Sequence, residues 1–358
     1  MLKRFLWVCC VVVPVSAGAG VVVDPGGLVE SIVADPTRNA FYASLDTNEI
    51  VLVDTAGAVS QRVTVTGDPD ALAVASDGSA LYVALEDSHD VAVYTLPGLT
   101  FSTHYPLSAT AMGPTGLVEK PGRLYAVSDD GLSIVDTTTG TELYFGQPPG
   151  GPAALFYRSV AALSPDGRRL FALDTGIVAS LYVFDVSTDA PVYLGEDCCH
   201  GCIGSNGRQV TISPDGSRAY VVTGSEYHLQ VLATTPLLHR EAAVLTGPYP
   251  NAVVVSADGE RLFLGYQDDE FAVARASDWL AFHVGPLQGR LAHRGLALSF
   301  DEATLAAVIQ DQGFEPNRIE LVDVASPVAN RGGLRVRPLD APTGVPVGWA
   351  YLDSTPNA

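Results

Sequence analysis

Three cysteines and a histidine stand within five residues, Cys198-Cys199-His200-Gly201-Cys202. Thiolates and imidazole bind soft metals and carry redox chemistry, so the segment admits three readings. In an exported chain a disulfide is the default. Three cysteines then leave one thiol free or paired with another chain. The Cys199-His200-Gly201-Cys202 spacing also suits a metal or a redox pair, with His200 itself or Asp197 as a further ligand. A haem c attachment is excluded, because Ile203 stands where a histidine would be needed. No cofactor is expected beyond a metal at this segment.

A second set of reactive side chains is scattered along the chain but falls at one recurring position. Counting back from a repeated Asp-Gly turn gives Glu30, Asp70, Ser159, Arg208, Asn251 and Arg294, with Thr115 the nearest match in a shortened copy. One residue earlier stand Arg158 and His293. If the repeats are arranged in a ring, Glu30, Asp70, Arg158, Arg208, Asn251, His293 and Arg294 converge. Arginines offer planar paired donors to carboxylate or phosphate, so the expectation is a site for a small anionic or polyhydroxylated ligand. The competing expectation is that these groups pair among themselves and with nearby acids. His293, near neutrality when unperturbed, is a candidate base. His89, His104, His228, His239 and His283 fit no ligand spacing. The chain has no Gly-x-Ser-x-Gly, His-Glu-x-x-His or phosphate-binding glycine loop. Acidic turns at Glu86-Asp87, Asp129-Asp130 and Asp268-Asp269-Glu270 offer oxygens to calcium, but none follows an EF-hand loop.

The elements that would position these residues are written in a repeat. Ser164-Pro165-Asp166-Gly167, Ser213-Pro214-Asp215-Gly216 and Ser256-Ala257-Asp258-Gly259 are its clearest turns; Ala75-Ser76-Asp77-Gly78 is a variant and Ser299-Phe300-Asp301-Glu302 a decayed copy. An apolar run follows each, carrying Tyr42, Tyr82, Tyr125, Phe171, Tyr220, Phe263 and, in the weakest copy, Ala306, at intervals of 40 to 49 residues. A polar turn and a second apolar run come next. An all-strand period of this length predicts an all-β, seven-bladed β-propeller of four-stranded antiparallel blades. The Asp-Gly pair predicts a type I′ hairpin. Gly344–Tyr351 resembles the start of an inner strand, either an extra closing strand or the beginning of a less favoured eighth blade. Val21–Val23 is a further candidate for ring closure.

The pattern Gly-x-Pro-x-Ala, apolar strand, Asp-Gly, Leu-Tyr-Val-Ala, polar turn, Val-x-Val is best preserved from Gly67 to Tyr94. It resembles the YVTN-type repeat of bacterial and archaeal seven-bladed propellers. It is not WD40, since no Trp-Asp pair ends the third strands. Propellers with similar repeats include the lactonase-like group and the propeller subunits of quinoprotein amine dehydrogenases. The resemblance implies fold more than activity. The leading expectation is an exported non-catalytic scaffold for a protein partner or small anionic ligand. A lactonase-like hydrolase acting on an anionic or sugar-derived substrate is the alternative, and a propeller subunit of a periplasmic redox complex the second alternative.

Residues 1–19 read as a secretory leader: Lys3 and Arg4, then the apolar run Phe5–Val15, then Ala17-Gly18-Ala19 as a small-residue cleavage site. Residues 20–358 would form one propeller domain, exported to the periplasm or beyond, with no transmembrane segment. The 358-residue chain carries a net charge of −20, which becomes −22 on loss of Lys3 and Arg4. Such a field argues against nucleic acid as a partner.

Overall fold

The computed structural model describes residues 20–108, 113–151, 158–176, 179–196, 203–225, 227–246, 249–310, 315–325 and 337–338. The Cys198–Cys202 segment, the leader and Gly344–Tyr351 lie outside them. The described residues form seven antiparallel sheets, each built around four strands, and contain no helix. Successive innermost strands pack side by side, from Val29–Ala34 around to Arg290–Leu298, which returns to the first. The ring thus has seven blades.

Closure is made by the N-terminal strand. Val21–Val23 pairs antiparallel with Arg318–Asp323 and so becomes the outermost strand of the seventh blade. The first segment of the ring is locked to the last, and the edge that an open stack would expose is covered. One feature lay beyond the repeat pattern. Arg337–Pro338 adds a short fifth strand to the fifth blade, pairing with Val244 and Leu245.

The core is distributed between blades. Each apolar cluster joins two neighbours: Tyr42 and Ile50 of the first blade pack with Leu72, Leu81 and Val83 of the second. Tyr125 and Ile134 of the third meet Leu170, Tyr182 and Phe184 of the fourth. The second-strand aromatics Tyr42, Tyr82, Tyr125, Phe171, Tyr220 and Phe263 are all buried. That explains the recurrence of a large side chain at this position, where sheets buried on both faces need bulk to fill the wedge.

The turn differs from the hairpin predicted. Gly167 donates its N–H to the Ser164 carbonyl at 2.8 Å. The Ser164 hydroxyl donates to Asp166 at 2.6 Å and accepts from the Arg169 N–H at 2.9 Å. Only the glycine is left-handed, with φ +67° at Gly167, +71° at Gly216 and +74° at Gly259; the preceding aspartates are not. A type I′ turn requires positive φ at both positions. Here the serine opens the turn, proline or alanine takes its second place, and aspartate ties it down. The decayed copy keeps this bonding: Ser299 Oγ donates to Asp301 at 2.7 Å and accepts from Thr304, and Glu302 takes the left-handed position at φ +55°.

Candidate functional site

The chain runs down each inner strand from one face of the ring, here the mouth face, to the Asp-Gly turns on the other. Strand register shows that the counted positions are structurally equivalent. In each blade the residue lies three before the partner of the second-strand aromatic: Val33 opposite Tyr42, Ala73 opposite Tyr82, Thr211 opposite Tyr220 and Val254 opposite Phe263. Ala297 opposite Ala306 continues the series. Glu30, Asp70, Thr115, Ser159, Arg208, Asn251 and Arg294 therefore form one ring, one residue per blade.

A device that sequence reasoning missed aims them. The inner-strand register breaks between Val29 and Ser31, Pro69 and Leu72, Gly207 and Gln209, Pro250 and Ala252, and Leu291 and Leu296. Glu30, Asp70, Arg208, Asn251 and the His293-Arg294 pair each sit in one of these bulges. A bulge releases a residue from the ladder and redirects its side chain. Two of the mouth arginines also hold left-handed backbone, Arg158 at φ +47° and Arg294 at φ +57°. This conformation is uncommon for side-chain-bearing residues and tends to mark functional sites.

The ring side chains divide by role. Asn251 is buried and donates to the Leu291 carbonyl of the next blade at 2.7 Å, so it braces the ring. Thr115 is also buried and reaches the Ser159 carbonyl at 3.3 Å. The charged members span the channel instead. Arg294 of the seventh blade donates to the Thr115 carbonyl of the third at 3.2 Å. Arg208 of the fifth donates through Nη1 to Nδ1 of His293 in the seventh at 2.9 Å, passing the sixth. Arg158 stands 3.9 Å from Glu86 and is half exposed. Among the described residues the buried Arg208 Nε–H has no acceptor, and the buried Ser159 hydroxyl has no partner.

This arrangement sets the protonation states. Burial, with Arg208 and Arg294 nearby, pushes His293 down to about 4. It is neutral near pH 7, with Nδ1 accepting from Arg208 and the ring proton on Nε2. Near pH 7 it thus offers a donor N–H at Nε2, and its lowered pKa makes it a weak base. Burial raises Asp70 to about 6 despite the opposing pull of Arg294, with Glu86 adding to the rise. Glu30 is raised too, by burial and then by Asp70, Asp68 and Asp46. Blades one and two therefore give the mouth an acidic side, and blades four, five and seven a basic one.

The two faces of the ring use carboxylates in opposite ways. At the repeat turns the serine hydroxyls hold Asp166, Asp215, Asp258 and Asp301 below the usual carboxylate range. Those aspartates are structural ties. On the mouth face burial holds Asp129, Asp174, Asp268 and Glu270 above it. On the turn face Glu119, beside Ser76, is the exception, since burial raises it as well. Among the described residues no group of three or more His, Cys, Asp or Glu side chains is placed to hold a metal ion.

Gly224 is part of the Arg208 seat. A Cβ there would stand 2.6 Å from Arg208 Nε and 2.9 Å from Nη2. Gly224→Ala is expected to push the guanidinium away and break its bond to His293. The His293 pKa should then rise above about 4 by the share that Arg208 adds to the larger effect of burial. An NMR titration of the imidazole signals checks this.

Fold and mouth together define the class: a seven-bladed β-propeller with a polar, bulge-built channel mouth. No family model and no curated protein sequence matches the chain. Among solved structures it is similar to a chain of Kuenenia stuttgartiensis hydrazine synthase, with a TM-score of 0.69 and 17% identity. The match covers 83% of this chain and 96% of that one. At this identity the likeness shows a shared fold.

Proposed function

We propose that the chain is an exported, non-catalytic scaffold of the YVTN-repeat type whose channel mouth holds a small ligand bearing a carboxylate or phosphate. Arg208 carries the reading: a bulged guanidinium crossing the channel, with a buried Nε–H that has no acceptor among the described residues. An anionic oxygen at the mouth would meet the Arg208 guanidinium, with His293 and Arg158 as further donors of the same ring. The neutral His293 also favours binding over proton transfer near pH 7.

The test is a thermal-shift screen of small carboxylates and phosphates. At least one should stabilise the wild type, and Arg208→Ala should weaken that ligand by about 30-fold or more, the cost of losing a charged hydrogen-bond partner. Saturable hydrolysis of a lactone, lost in Arg208→Ala or His293→Ala, would replace this reading with the lactonase-like one. A second reading, a propeller subunit of a redox complex, draws on the name of the solved neighbour, a hydrazine synthase. Co-purification of a chromophoric partner from the native source would favour it.

A further inference from the structure

The strand that closes the ring brings Gly20 against a buried carboxylate. Glu320 sits in the middle of the strand Arg318–Asp323, between Ile319 and Leu321, and is only 1% exposed. Val22 of the closing strand lies opposite it. One oxygen, Oε2, accepts the backbone N–H of Gln288 at 2.6 Å. The other lies against Gly20, whose backbone N–H also donates to the carboxylate. Gln288 completes the clasp by donating from Nε2 to the Gly20 carbonyl at 3.2 Å.

Only glycine fits there. A Cβ on residue 20 would stand 2.7 Å from Glu320 Oε1 and 2.8 Å from the Leu321 carbonyl, which is backbone and cannot yield. A buried glutamate in a closing strand is costly unless a cation meets it. Arg318 lies near enough to exert a pull, but the groups bonded to the carboxylate are neutral amides.

We propose that Glu320 is the receiving site for the α-ammonium group of Gly20, generated when the leader is removed between Ala19 and Gly20. This rests on the export reading. The cut is a hydrolysis by a leader peptidase. Water adds across the Ala19–Gly20 amide, its oxygen joins the Ala19 carboxyl group, and the Gly20 nitrogen departs as an amine that takes a proton. The same nitrogen that donates as an amide becomes a cation in place. A neutral hydrogen bond turns into a charge-assisted one, and processing tightens the latch that closes the ring.

Two mature chains test this: one beginning at Gly20, and one carrying Ala19 as an additional first residue. The Gly20 chain should melt about 3 °C higher, and the difference should vanish in Glu320→Gln. A second readout does not depend on the variant folding. At pH 7.5 the Gly20 amine should be acylated at least about tenfold more slowly than the Ala19 amine, and denaturant should erase the protection. Equal melting temperatures together with equal acylation rates overturn the proposal. Sequencing the N-terminus of the natural product separates the two layers of inference. A natural chain starting at Gly20 whose latch shows no such difference leaves export standing and removes the pairing. A chain that retains residues 1–19 removes both.

Discussion

A chain that starts at Asp24, without Val21–Val23, is expected to lose about 4 kcal/mol of stability and melt about 8 °C lower. Val23 is buried in the cluster that joins the seventh blade to the first, beside Ile319, Leu321 and Val53. Removing the strand exposes that apolar surface. It also strips Arg318–Asp323 of its outer ladder and leaves Glu320 beside an open edge. An unpaired edge rich in Ile, Leu and Val invites association between chains. The truncated protein should therefore show concentration-dependent aggregation well below its melting point, seen by light scattering during a thermal ramp. A truncated chain that melts where one retaining Val21–Val23 does would mean that the ring closes without this strand.

Asp35→Ala should cost about 3 kcal/mol, because it leaves buried partners stranded. Asp35 is fully buried at the first blade's turn. It accepts from the Thr37 N–H and hydroxyl at 2.8 Å each, from Arg38 at 2.6 Å and from the Tyr42 hydroxyl at 3.0 Å. Arg38 extends the tie to the Gly78 carbonyl of the second blade at 2.7 Å. Burial alone would raise the Asp35 pKa, but these donors outweigh it and hold the group below its ordinary value. A carboxylate depressed in the folded state stabilises above its unfolded pKa, about 3.9, and loses that contribution as pH falls through the folded value. The gap between wild type and Asp35→Ala in denaturant melts should be full at pH 7 and shrink below about pH 4.

Much of this was legible in the sequence. The serine-aspartate-glycine turn and the aromatic that follows it recur because every blade needs the same tie and the same filler between sheets. Seven copies therefore gave seven blades. Val21–Val23 stood out as an apolar triplet lying before the first copy. The mouth ring could be counted because the distance from the turn to the bulge is held in each blade. The bulges themselves were hidden, since an extra backbone residue leaves no compositional mark. The Arg208–His293 bond was also hidden, because it joins blades that are adjacent neither in sequence nor in space. The type I′ expectation failed because the dipeptide was read without the serine that frames it. Glu320 did leave a signal, a charged residue at the centre of an otherwise apolar strand, but the weak seventh copy obscured it.

If the mouth binds a small anion through Arg208, calorimetry on a sulfonate analogue of the best screened ligand should show it. The charge of a sulfonate does not change between pH 7.5 and pH 5. Over that interval Asp70, raised to about 6, loses its negative charge, whereas His293, near 4, stays neutral. Relief of repulsion should tighten binding about threefold to tenfold at pH 5, and Asp70→Asn should reach the tighter affinity already at pH 7.5. Arg208→Ala should remove most of the affinity at both pH values. An affinity that is the same at both pH values and unchanged in Arg208→Ala would place the anion away from Arg208 and Asp70.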